Sequence, residues 1–149
     1  MEKFAKYKES YVHFVEAGFI AVNQGDEDGA VKLFKAAALL KPENTLPKVG
    51  MGYLHLCKLE LKQSIQGFNE VLSQEPHNEM AKALLGFALC LTPTDVAKGE
   101  KQLEDTFKTA HDPAIKQLAE NALDFVEKFV KKPISPMQPH TGEKKKKGK

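Results

Sequence analysis

Five histidines and two cysteines are the residues of this chain best suited to metal or nucleophilic chemistry, and their spacing serves neither. His13, His55, His77, His111 and His140 include no pair four residues apart, as a helical metal site needs, and no HExxH run. Cys57 and Cys90 make no metal motif and no disulfide framework, which leaves two free thiols, buried or lining a groove. Neither a Gly-rich phosphate loop nor a GxSxG elbow occurs. Glu100, Glu104 and Asp105 follow the polar stripe of a helix, where acids serve solubility. All 22 basic residues are lysine, so the group best suited to bidentate capture of phosphate or carboxylate is missing. The expectation is therefore no enzyme, no catalytic residue, no metal and no cofactor.

Charge and composition narrow the classes further. The net charge of +2 is uneven: residues 133–149 hold five lysines and one glutamate, leaving 1–132 slightly acidic. The body has no basic footprint for nucleic acid. Met1 to Ser10 is charged and lacks the apolar core of a secretory signal. The longest uncharged apolar run, Ala83 to Leu91, is nine residues, about half of a membrane span. With 149 residues, 42% of them hydrophobic and 28% charged, the chain suits one globular domain. A cytoplasmic location is expected.

The elements that would position these residues are all helical. Glu2 to Asn23 carries Phe4, Tyr7, Tyr11, Phe14, Gly18 and Ala21 at three- and four-residue steps, one stripe of a long amphipathic helix. Gly25 ends it and Asp26 can cap the next, which turns Ala30, Val31, Phe34, Ala37 and Ala38 inward and stops before Lys41-Pro42. The pair recurs as Leu46 to Lys58 and Leu61 to Gln74. A third pair follows as Glu79 to Leu91 and Asp95 to Ala110, joined across Thr92-Pro93-Thr94. Asp112-Pro113 then supplies a cap and first-turn proline for a seventh helix reaching about Lys131, with the stripe Ile115, Leu118, Ala119, Ala122, Val126 and Phe129. Beyond it, Pro133, Pro136, Pro139 and the block Lys144 to Lys147 predict a disordered tail over 133–149.

Gly18, Gly52 and Gly86 recur at one constant interval, and Phe34 with Phe68 and Pro42 with Pro76 keep the same one. An interval of about 34 residues marks stacked supersecondary units. A glycine within a helix costs about 1 kcal/mol relative to alanine, so three in register imply a close approach between paired helices. Ala30, Phe34 and Ala37 are expected in the layer opposite. The third unit departs: Lys98 stands where a small residue is expected and Phe107 comes about five residues late, so the register is expected to end after Gly86.

With these residues the chain resembles the tetratricopeptide repeat family, whose unit is a helix–turn–helix of about 34 residues. Tyr11 to Asn44 supplies Phe14, Ala17-Gly18, Ala21, Ala30, Phe34, Ala37 and Pro42. Thr45 to Asn78 supplies Met51-Gly52, His55, Ser64, Phe68, Val71 and Pro76, and Glu79 onward supplies Leu85-Gly86 and Leu89. The resemblance implies an all-α helical solenoid over 1–132, with repeats at about 11–44, 45–78 and 79–112 and a capping helix at 113–131. It also places His55 at an aromatic packing position, as a core histidine.

In that family the first helix of each unit lines a concave groove. Carried over position by position, the resemblance implies Val12, Val15, Glu16, Phe19, Val22 and Asn23 from the first unit. The second contributes Leu46, Val49, Gly50, Tyr53, Leu56 and Cys57, and the third Met80, Ala83, Leu84, Phe87, Cys90 and Leu91. Such a face is nearly all apolar, more than a free surface tolerates. It is a groove for an apolar helix or extended peptide, or is covered by the chain's own first helix, seventh helix or tail, or forms a homodimer seam. Members that grip acidic chaperone tails use lysine and asparagine where this chain has Val15, Phe19, Gly50, Met80 and Leu84, so that role is not expected. Size and groove resemble the small tetratricopeptide chaperones of bacterial type III secretion systems, which implies a needle or translocator subunit as client. The expected partner-binding residues are Val12, Val15, Phe19, Val22, Val49, Tyr53, Leu56, Met80, Leu84, Phe87 and Leu91. The alternative is an adaptor that assembles a multiprotein complex through its convex face or tail.

Overall fold

A computed structural model describes residues 2–132 of the chain, with side chains from residue 5 onward. The segment 133–149, expected to be a disordered tail, lies outside the described residues. Among those described there is no strand. A 3-10 helix Glu2–Ser10 leads into α1 (Tyr11–Asn23), α2 (Glu27–Leu40), α3 (Leu46–Cys57), α4 (Leu61–Gln74), α5 (Glu79–Cys90), α6 (Val96–Thr109) and α7 (Pro113–Phe125), which ends in a π-helical turn, Val126–Val130.

Helices adjacent in sequence are adjacent in space. α1 packs on α2, α3 on α4 and α5 on α6, and the pairs join through α2 with α3 and α4 with α5. α7 lies against both α6 and α5. α5 therefore has neighbours on several sides, which is why Ala81, Ala83, Leu84, Leu85, Gly86, Ala88, Leu89 and Cys90 are all buried. The chain's own helices cover its apolar circumference.

Short polar side chains set the helix starts. Asp26 Oδ1 accepts from the Gly29 amide at 2.9 Å, Asn78 Oδ1 from Ala81 at 2.9 Å, and Asp112 Oδ1 from Ala114 at 2.8 Å, each satisfying an amide with no partner inside its helix. The turns inside the pairs are built by backbone geometry. Gly25 has φ 75° and Leu59, one repeat further on, has φ 58°. In both turns the following amide reaches back, Asp26 N–H to Ala21 O and Glu60 N–H to His55 O, each at 2.9 Å. This is the left-handed termination that closes a helix in one step.

The third turn cannot be made this way. The matching position is Pro93, whose ring locks φ at a negative value and bars the left-handed region. α5 stops at Cys90, α6 starts at Val96, and the bonds are instead Thr92 N–H to Leu89 O and Asp95 N–H to Thr92 O. The detour takes up one extra residue. The inward residues Ala30, Phe34 and Ala37 of α2 and Ser64, Phe68 and Val71 of α4 recur in α6 as Gly99, Leu103 and Thr106. The expectation that register ends after Gly86 is thereby corrected: it slips by one residue and continues. Phe107, expected as the late core aromatic, is 40% exposed.

The glycine period is explained by large side chains lying on backbone, Phe34 on Gly18, Phe68 on Gly52 and Leu103 on Gly86. A Cβ at Gly18 would come 2.5 Å from the Phe34 ring, one at Gly50 closer still to the same ring, and one at Gly52 2.6 Å from Phe68. Phe34 thus sits between α1 and α3, 1% exposed. In the third pair a Cβ at Gly99 would lie 2.5 Å from Cys90 N and 2.6 Å from Gly86 O, so there backbone meets backbone.

Two further readings change. The first helix is not continuous from Glu2: the α-helix begins at Tyr11, which is buried, whereas Tyr7 before it is 44% exposed. Residues 5–9 are all exposed, so little of the tertiary burial that supplies most helical stability is present there. Phe129 also leaves the α7 stripe and is 54% exposed. The wider π turn, with Lys131 N–H bonded to Val126 O at 3.0 Å, rotates Val130 inward in its place.

Candidate partner-binding site

The first helices of the three pairs carry aromatic residues at one repeated position: Phe19 on α1, Tyr53 on α3 and Phe87 on α5. All three are half-buried. Phe19 stands edge-on to Phe34 with ring centroids 5.3 Å apart and meets Tyr53 at 5.9 Å. The phenol of Tyr53 donates to Asn23 Oδ1 at 2.8 Å, fixing the ring across the α1–α3 junction. Burial, then the neighbouring Cys57, holds that phenol above its ordinary range, so it stays neutral. Such a group offers an apolar body and a polar tip at one place.

The expected site residues separate by depth. Val15, Val22, Val49, Leu56 and Leu84 are buried, each at most 6% exposed, and pack within the core. They cannot meet a partner while the helices stay together. Phe19, Tyr53, Phe87 and Leu91 are half-buried, and Val12 and Met80 are exposed at 53% and 36%. Of the remaining positions carried over, Gly50, Ala83 and Cys90 are buried, Leu46 is half-buried, and Glu16, Asn23 and Cys57 are exposed. The broad apolar face that the resemblance implied is thus largely used up by packing between neighbouring helices. What reaches the surface is a narrower aromatic row.

At the third position the row meets α7. Phe125 stands edge-on to Phe87 at 5.7 Å and leads to Phe129 at 5.0 Å. Phe125, 40% exposed, belongs to this face although the stripe of α7 omitted it. Its signal in the sequence is the aromatic pair four residues apart, which puts both rings on one side of a helix. α7 so covers part of the third unit, while the Phe19–Tyr53 pair lies away from it.

Polar groups around the row are ties between elements. The Lys58 ammonium bridges Glu27 at 2.7 Å and Glu60 at 2.8 Å, and the second Glu60 oxygen meets His55 Nδ1 at 2.6 Å. Lys58 is raised by Glu27 first and then Glu60, and Glu60 is lowered by Lys58 first and then His55. His55 is therefore no core histidine, since its ring is partly exposed and engaged with Glu60. Glu79 at the start of α5 accepts from the amides of His111 at 2.7 Å and Asp112 at 3.2 Å, which lowers its carboxyl. Burial pushes the Cys90 thiol up to about 11, so it carries no thiolate near neutrality. Among the described residues no group of three or more His, Cys, Asp or Glu could hold a metal ion, and no helix is long and apolar enough to cross a membrane.

No family model matches the chain, and a search of the curated proteins finds no match.

Proposed function

We propose that the chain is a tetratricopeptide-type solenoid that binds, without catalysis, an apolar helix or extended segment of a client protein along the first helices of its pairs. The observation that carries this reading is the half-buried row Phe19, Tyr53 and Phe87, one aromatic per unit at the interval of the repeat. Buried or half-buried aromatics at the centre of a face are the usual anchors of a protein interface. Val12, Met80 and Leu91 flank the row, and Tyr53 with Asn23 adds a polar contact point. In this reading the chain acts as a cytoplasmic secretion chaperone, holding a needle or translocator subunit until export. The constant repeat interval, the Phe-on-glycine layers and the paired helices support the repeat class.

The test is co-purification of the client with variants of the row. Tyr53→Glu and Phe87→Glu, each placing a charge where an apolar anchor is expected, should reduce client recovery at least tenfold while circular dichroism retains the helical signal. Recovery that persists in both well-folded variants would remove this face as the site.

A further inference from the structure

A second groove lies outside the aromatic row and goes beyond the reading above. It opens between α2 and α4, with α3 as its floor, and holds about 380 Å³. Ala38, Met51 and Gly67 supply its open apolar surface, above the buried Phe34, Pro47 and Gly52. Ala38, expected to face inward, is exposed here.

Gly67 is what opens this space. Gly18, Gly52 and Gly99 are glycines because a Cβ would strike a ring or a backbone, but a Cβ at Gly67 would meet nothing nearer than Gly52 Cα at 3.7 Å. The fold has room for a side chain there, and the first unit puts one at the matching position, Leu33. A glycine inside a helix costs about 1 kcal/mol relative to alanine. Internal packing gives no return for it at Gly67.

The rim is charged. Lys35 of α2 and Lys48 of α3 border the groove, and neither has an ion-pair partner among the described residues, in contrast to Lys58 and Lys131. Gln63, Gln66 and Glu70 of α4 border it as well; Glu70 accepts from Gln66 at 3.3 Å, and His55 is already engaged by Glu60. Two ammonium groups and one carboxylate thus border an apolar floor.

We propose that this groove docks an apolar side chain of a partner protein whose neighbouring residues are acidic. The apolar group fills the space above Gly52 and Gly67, and its flanking carboxylates meet Lys35 and Lys48. A second copy of this chain fits less well. Its exposed Phe107, with Glu104 nearby, would enter through a surface different from the one it fills, and such head-to-tail contacts build open chains or rings.

The experiment titrates the isotopically labelled full chain with a blocked peptide, acetyl-Glu-Glu-Leu-Phe-Glu-amide, and with its counterpart carrying lysine in place of glutamate, following amide shifts. The acidic peptide should move the amides of Met51, His55 and Gly67, and the lysine peptide should bind at least tenfold more weakly. Gly67→Leu fills the floor and should weaken the acidic peptide at least tenfold without lowering the melting temperature. The double variant Lys35→Glu, Lys48→Glu should reverse the preference between the peptides. The proposal is overturned by absent shifts, by equal response to both peptides, or by unchanged binding in Gly67→Leu. Sedimentation showing self-association that Gly67→Leu abolishes would overturn it in favour of a second copy.

Discussion

The first two helix pairs and the third solve the same packing problem with opposite means. In α1–α2 and α3–α4 a large ring, Phe34 or Phe68, lies on a glycine of the facing helix, and a left-handed residue closes a short turn. In α5–α6 the turn is longer, the large residue is Leu103, and Gly86 and Gly99 bring the two backbones together. The contrast shows that what repeats is a close approach of paired helices at a glycine. In the first two pairs a ring meets that glycine, and in the third a leucine and a second glycine do.

The largest effects should come from closing these contacts. Gly99→Ala sets a Cβ against Cys90 N and Gly86 O, which are main-chain atoms that yield only if α5 and α6 separate. Overpacking of this kind costs about 1–3 kcal/mol, and this variant should lie at the upper end in urea unfolding. Gly50→Ala strikes the Phe34 ring, a side chain rather than main chain, and both variants gain helix propensity of up to about 1 kcal/mol. Its net loss should be the smaller of the two. A reversed order would mean that the α5–α6 approach is looser than the geometry describes.

A smaller effect, of opposite sign, is expected at the turns. Leu59 holds φ 58°, a region that costs a residue with a Cβ about 1–2 kcal/mol, and at 68% exposure it contributes little burial. Glycine loses more chain entropy on folding, which offsets part of the gain. Leu59→Gly should raise stability by about 0.5–1 kcal/mol, measured by thermal unfolding. No change or a loss would show that the Leu59 side chain has a role beyond its backbone.

The smallest effect is a pH dependence confined to the third unit. Glu79, held below the ordinary carboxyl range by the amides of His111 and then Asp112, ties the start of α5 to the α6–α7 connection. Its pKa is lower folded than unfolded, so the unfolded chain binds the proton more readily. The stabilisation is complete above the ordinary carboxyl pKa and is lost as pH falls through the folded value. Glu79→Gln should flatten the acid limb of the stability–pH curve while changing the neutral plateau much less. An unchanged limb would assign the acid sensitivity elsewhere, with Glu60 and Glu127 as the next groups to replace.

Much of the helical order was legible in the chain because it follows from local chemistry. Asp26, Asn78 and Asp112 begin helices through their own carbonyl or carboxylate oxygens, Gly25 ends one, and prolines 42 and 76 follow two more. The candidate face was less legible. The register carried over from the resemblance placed Val15, Val49 and Leu84 beside Phe19 and Tyr53, but exposure depends on how near the neighbouring helix comes. That distance is set by Phe34 and the glycines it touches. Phe125 was missed for the same reason, since its partner Phe87 belongs to α5, two helices earlier in the chain.

By itself the sequence determined the all-helical class, most of the helix ends and the repeat period, because capping, left-handed turns and amphipathic stripes are properties of a few neighbouring residues. Only the tertiary structure decided that the period continues one residue out of step after Pro93, that most of the apolar face is taken up by packing between helices, and that Gly67 leaves a groove unfilled. Those outcomes depend on separations between helices that share no local residues. Packing volume and backbone approach set them, and neither is written in spacing.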